Sequence, residues 1–97
     1  MFRYSIMYDI LPYTKNMAKE YGVEVRPSTN KSKKIDVFQD GKRIASVGGY
    51  GYGDYPHYLK EQGKAFADKR RELYRIRHAK DLAVEGSNGW WSGVLLW

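Results

Sequence analysis

The dipeptide Asp40-Gly41 lies between Ile35-Asp36-Val37-Phe38-Gln39 and Lys42-Arg43-Ile44-Ala45-Ser46-Val47, and it constrains this chain more than any other feature. A two-residue hairpin turn needs positive φ angles, and Asp-Gly adopts them at little cost. The flanking runs alternate apolar with polar side chains, as strands with one buried face do. An antiparallel hairpin is therefore expected. Val23-Glu24-Val25-Arg26 alternates in the same way and is expected to add a third strand. The stretch between, Pro27 to Lys34, is polar and basic, with turn residues throughout, and is expected to be a loop.

Helical signals surround this unit. The first segment, Phe2 to Leu11, is apolar and aromatic, without a clear period. Pro12 suits the first position of a helix. Tyr13 to Tyr21 carries Met17 and Tyr21 at i,i+4, with Gly22 as its stop. Gly48 to Tyr55 holds four of the ten glycines and is expected to be a loop. Asp54 is placed to cap a helix that starts at Tyr55-Pro56, runs to about Glu61 and breaks at Gly63. Lys64 to Leu82 is expected to be the longest helix. Phe66, Leu73 and Ile76 would form its apolar stripe, with the stems of Lys69 and Lys80 laid alongside and Lys64–Asp68 and Asp68–Arg71 as charge pairs. Gly86-Ser87-Asn88-Gly89 should be a loop, with Ser87 or Asn88 capping a last turn or two through Trp90–Leu96. There is no internal repeat and no linker. The expected fold class is α+β: a small two- or three-stranded antiparallel sheet packed on one face against two or three helices, in a single domain over residues 1–97, with 1–22 as an N-terminal extension.

Charge narrows the partners. Seventeen Lys and Arg against eleven Asp and Glu give a formal charge of +6, which favours nucleic acid, acidic protein surfaces or anionic lipid. Plain solubility is the competing reading, because a small domain commonly carries a charge of this size. The absence of cysteine excludes disulfides, thiolate zinc sites and a Cys nucleophile, and fits a reducing compartment such as a cytoplasm. No signal peptide is legible at Met1–Asp9, and no apolar run reaches the roughly 20 residues that cross a bilayer.

Three constellations are candidates for function. On the long helix, Arg70, Tyr74, Arg77 and His78 fall on one side at 100° per residue, with Arg71 at the margin. Forked guanidinium groups and a Tyr hydroxyl converging there suit a phosphate or carboxylate. The alternative is that these arginines pair with acids or pack on rings. In Gly48–Tyr55, Tyr50, Tyr52 and Tyr55 can stack on bases, or the glycines simply turn the chain while tyrosines cover the core. Trp90, Trp91 and Trp97 either close the core or anchor the chain in a partner's pocket. Catalysis lacks a motif: there is no Walker sequence, no nucleophile elbow and no carboxylate pair. His57 and His78, with Asp54 or Asn88, lack metal-ligand spacing, and neither metal nor cofactor is expected.

The order of short motifs is specific in its own way. Asp36-Val37-Phe38, Asp40-Gly41-Lys42, Ser46-x-Gly48 and Gly51-Tyr52-Gly53-Asp54-Tyr55 are followed by Arg70-Arg71, Tyr74 and Arg77-His78. Gly89-Trp90-Trp91-Ser92 and Leu95-Leu96-Trp97 then complete the series. Over about residues 25–97 this resembles a family of small uncharacterised proteins encoded by large DNA viruses and tailed phages. Their shared pattern runs from a hairpin through G-Y-x-D-Y and R-x-x-Y-x-x-R-H to L-L-W. The chain departs from it at Pro56-His57-Tyr58, in a longer Lys64–Asp68 stretch and in Met1–Gly22. The resemblance implies a viral or phage origin and brings no activity with it. It also suggests a rival to ligand binding, in which Asp54, Tyr55, Arg70, Tyr74, Arg77 and His78 interlock with the Trp-rich tail through cation–π contacts. The expectation is a non-enzymatic accessory protein that binds a viral or host protein complex or nucleic acid, in the host cytoplasm or the virion. It would be a virion-associated component or an inhibitor of a host defence nuclease or polymerase. A metal-dependent nuclease is the weakest alternative.

Overall fold

A computed structural model describes residues 7–97. Residues 1–6, which include the start of the Phe2–Leu11 segment, lie outside the described residues. The elements in order are α1 (Pro12–Glu20), β1 (Glu24–Pro27), β2 (Lys33–Gln39), β3 (Lys42–Gly49), α2 (Tyr55–Gln62), α3 (Lys64–Arg77), α4 (Ala79–Leu82) and α5 (Asn88–Leu96). The three strands form one antiparallel sheet in the order β1-β2-β3. This is the α+β architecture expected, with five helices among the described residues where two or three were anticipated.

The hairpin turn works as its sequence dictates. Asp40 has φ 52° and Gly41 φ 80°, so both central residues take the left-handed conformation that matches strand twist. The ladder slips once. Val37 pairs with Ala45 but Phe38 pairs with Arg43, leaving Ile44 as an extra residue on β3. This bulge puts Ile44 out to solvent and keeps Ala45 and Val47 on the face occupied by Ile35 and Val37.

That face meets Ala18 of α1 and Trp91, Leu95 and Leu96 of α5 in one apolar core. Ile35, Val37, Leu95 and Leu96 are fully buried. Within the stretch 1–22, α1 buries Thr14 and Ala18, and the Thr14 hydroxyl donates to the Leu95 carbonyl at 2.8 Å. The other face of β2 is polar yet covered. Asp36 is buried there and accepts from the hydroxyls of Ser28 at 2.6 Å and Ser46 at 2.7 Å.

The long helix differs from expectation in two ways. It stops at Arg77, and His78, at φ −109° and ψ 25°, redirects the chain into α4. The buried side of α3 is Ala67 and Tyr74, while Phe66, Leu73 and Ile76 are exposed. The reason is chemical. Arg71 and Tyr74 offer both ring or planar surface and hydrogen bonds to the Trp97 end of the chain, and those contacts set the helix rotation in place of the aliphatic stripe. Lys69 likewise points outward, beside Glu72 at 3.6 Å. Lys64 pairs with Asp68, but the second bond to Asp68 comes from the Tyr55 hydroxyl at 2.9 Å and not from Arg71.

Candidate binding cleft

One glycine and one helix break shape a cleft between β3, the 50–54 loop, α3–α4 and α5. Gly48 has φ 83°, and a methyl group there would meet Leu96 Cδ1 at 2.7 Å. Glycine thus lets the end of β3 press against α5 and turn away. The break at His78 then carries α4 across the opposite side. The space between holds about 550 Å³, within the range of ligand sites. Lys33, Tyr52, Tyr74, Arg77, His78 and Trp97 are on its walls.

Of the residues singled out in the sequence, Tyr52, Tyr74, Arg77, His78 and Trp97 are therefore brought together. Tyr74 lies between two rings: Trp97 at 4.4 Å and 6° on one side, His78 at 4.3 Å and 26° on the other. Burial pushes its phenol pKa up. His78 Nδ1 lies 3.2 Å from an Asp81 carboxylate oxygen. Arg77 is exposed and has no ion-pair partner among the described residues.

The other candidates go elsewhere. The Arg71 guanidinium sits 3.5 Å from the centre of the Tyr55 ring and donates to the Trp97 carbonyl at 2.7 Å and to the Tyr13 hydroxyl at 3.1 Å. Its contacts are internal packing, at a residue the interlocked reading did not include. Arg70 lies over the Tyr58 ring at 5.5 Å and is not on the wall of this cleft. Tyr50 is on the wall of a separate hollow of about 400 Å³ beside Tyr8 and Lys31. Trp91 is buried in the core, and Trp90 packs edge-on against it at 4.9 Å.

One cluster was not legible beforehand. Asp54 caps α2 by accepting from the His57 backbone N–H at 3.1 Å. Its other oxygen accepts from Lys34 Nζ at 2.8 Å and from the Tyr8 hydroxyl at 2.6 Å. His57 Nδ1 lies 2.9 Å from the same carboxylate. Lys34 and Asp54 are both buried. Burial alone would raise the carboxyl pKa, but the adjacent Lys34 charge, with the hydrogen bonds, outweighs it and holds Asp54 below the usual carboxylate range. The Tyr8 phenol goes the other way: burial, then the neighbouring Asp54 charge, push its pKa far up. His57 is thus committed to Asp54 while His78 faces the cleft. Among the described residues no group of three His, Cys, Asp or Glu is arranged to hold a metal. The sequence pointed to Asp54 as a cap and, with His57, as a metal candidate without ligand spacing, but not to Lys34 or to Tyr8, which joins from 46 positions away.

No helix among the described residues is long and apolar enough to cross a membrane. Compared with protein-family models, curated proteins and solved structures, the chain has no match.

Proposed function

We propose that this chain is a non-catalytic accessory protein of a large DNA virus or phage, working by holding an anionic partner in the cleft between β3, α3–α4 and α5. The observation that carries the binding part is the convergence of Arg77 and Lys33, neither in an ion pair among the described residues, on a cleft walled by aromatic rings. A cation at a partly enclosed surface acts through a lower effective dielectric than one in open water, so it attracts an anion more strongly. Binding without turnover is supported by the lack of a catalytic motif in the sequence. The viral or phage setting rests on the resemblance in motif order. A virion component would appear in purified particles at fixed copy number.

Heparin affinity tests the cleft. Replacing Lys33 and Arg77 together by Ala should weaken binding about tenfold or more, whereas Lys15→Ala with Lys42→Ala, equal in charge removed and remote from the cleft, should weaken it far less. Equal losses in the two double variants would leave only a diffuse basic surface and reject the cleft. Binding should also fall steeply between about 50 and 200 mM salt.

A further inference from the structure

We infer that the partner held in this cleft is a single-stranded nucleic acid, with Tyr52 stacking on a base while Arg77 and Lys33 take neighbouring phosphates. The inference rests on the cleft being the binding site and names its ligand.

Tyr52 is the observation that separates nucleic acid from other polyanions. It is on the cleft wall and yet 80% exposed. Its ring lies on bare backbone: a Cβ on Gly49 would come within 2.8 Å of Tyr52 Cδ2. Glycine at that position therefore gives the ring a support on one side and leaves the rest of it open. An aromatic ring held in this way offers a flat apolar surface that water solvates poorly. Heparin carries its charge on saturated, non-planar sugar rings and an acidic peptide on carboxylate side chains, so neither brings a flat π face to cover it. A base supplies both a π face and an attached phosphate, which is the pairing of platform and cations that single-strand binders use. A duplex keeps its base faces within its own stack, so Tyr52 would gain nothing from one.

The remaining walls fit the same ligand. Asn88 and Ser92 of α5 place an amide and a hydroxyl on the cleft, groups that can meet the edge of a base. Asp81 also lies on the wall and opposes an anion, but its carboxylate is held by His78 at 3.2 Å. Tyr74 and Trp97, already stacked on each other, form a rigid side to the cavity and are not themselves free platforms.

Fluorescence anisotropy tests the assignment with three probes: a labelled oligothymidylate of about 12 nucleotides, the same strand paired with its oligoadenylate complement, and unlabelled heparin as competitor. The single strand should bind more tightly than the duplex. Tyr52→Ala should weaken the single strand about tenfold, the range of one lost base stack, while leaving heparin competition within about twofold; Tyr52→Trp should retain or improve binding. The side chain is so exposed that neither change threatens the fold. Preference for the duplex, or a Tyr52→Ala effect that is nil or equal for single strand and heparin, would overturn the nucleic-acid assignment and leave the cleft reading standing. If the wild-type protein binds none of the three probes, the cleft reading itself fails, and this assignment with it.

Discussion

Lys34 and Asp54 illustrate how one buried ion pair governs both local structure and pH response. Each charge is expensive to bury alone, and each is neutralised by the other at 2.8 Å. Tyr8 completes the carboxylate's partners at 2.6 Å. The two titrating groups act at opposite ends of the pH scale. Asp54 has a folded pKa below its ordinary 3.8, so its contribution is present above that value and disappears as pH falls below about 4. Tyr8 has a folded pKa above its ordinary 10.0, so its contribution is intact below about pH 10 and is lost as the unfolded chain, but not the folded one, releases the phenolic proton. Tyr55 and Tyr74 are shifted in the same direction. Urea unfolding followed between about pH 8 and 11 should show declining stability, and Tyr8→Phe should flatten that decline. An unchanged slope in the variant would show that Tyr8 titrates alike in both states. The replacement should itself cost about 1.5 to 3 kcal/mol at neutral pH, the range for a lost hydrogen bond to a charged group.

At the scale of elements, legibility followed the range of the interaction. The Asp40-Gly41 turn, the Gly63 break, the Asp54 cap and the Ser87 cap, whose hydroxyl accepts from the Trp90 N–H at 3.1 Å, are settled within a few residues, and the sequence signals for them match the structure. The rotation of α3 is settled by Tyr13, Tyr55 and Trp97, all distant in the chain. Helical periodicity therefore picked Phe66, Leu73 and Ile76 for burial, and the structure exposes them. The start of β2 was missed for a similar reason: Lys33 and Lys34 look like loop residues until Asp54 is seen to neutralise Lys34. Within the cleft, Arg77, His78 and Tyr74 could be read from helix spacing, but Lys33 and the distinction between Tyr50 and Tyr52 depend on where β3 ends. Gly48 decides that end. Gly48→Ala combines a positive φ with the Leu96 contact, and should destabilise by about 1 to 3 kcal/mol and reduce ligand affinity. Chemical denaturation checks the first effect. A variant as stable as the parent would mean that Leu96 yields freely.

For the whole molecule, the division of labour between the two sides of α3 makes a prediction about what holds the chain together. One side is cemented: Arg71 joins Tyr55, Tyr13 and Trp97, linking α1, α2, α3 and the end of α5. The other side, with Leu73 at 40% and Ile76 at 69% exposure, touches little. Leu73→Lys with Ile76→Lys should therefore change stability by no more than about 0.5 kcal/mol per site, whereas Arg71→Ala alone should cost about 2 to 4 kcal/mol through lost packing and orphaned hydrogen-bond partners. Thermal melting of the two variants distinguishes them. A large loss in the lysine pair would mean that this apolar side is covered in solution by another surface.

The sandwich of Trp97, Tyr74 and His78 has a spectroscopic consequence. Tyr74's aromatic protons lie in the ring currents of an indole above and an imidazole below, so their proton resonances should be displaced well upfield of an ordinary tyrosine. The shift depends on spacings of 4.3 and 4.4 Å, and changes of a few tenths of an ångström would move the lines. A single tyrosine labelled in its ring would thus register both the docking of α5 against α3 and the arrival of any molecule beside His78, in one experiment and without altering the protein.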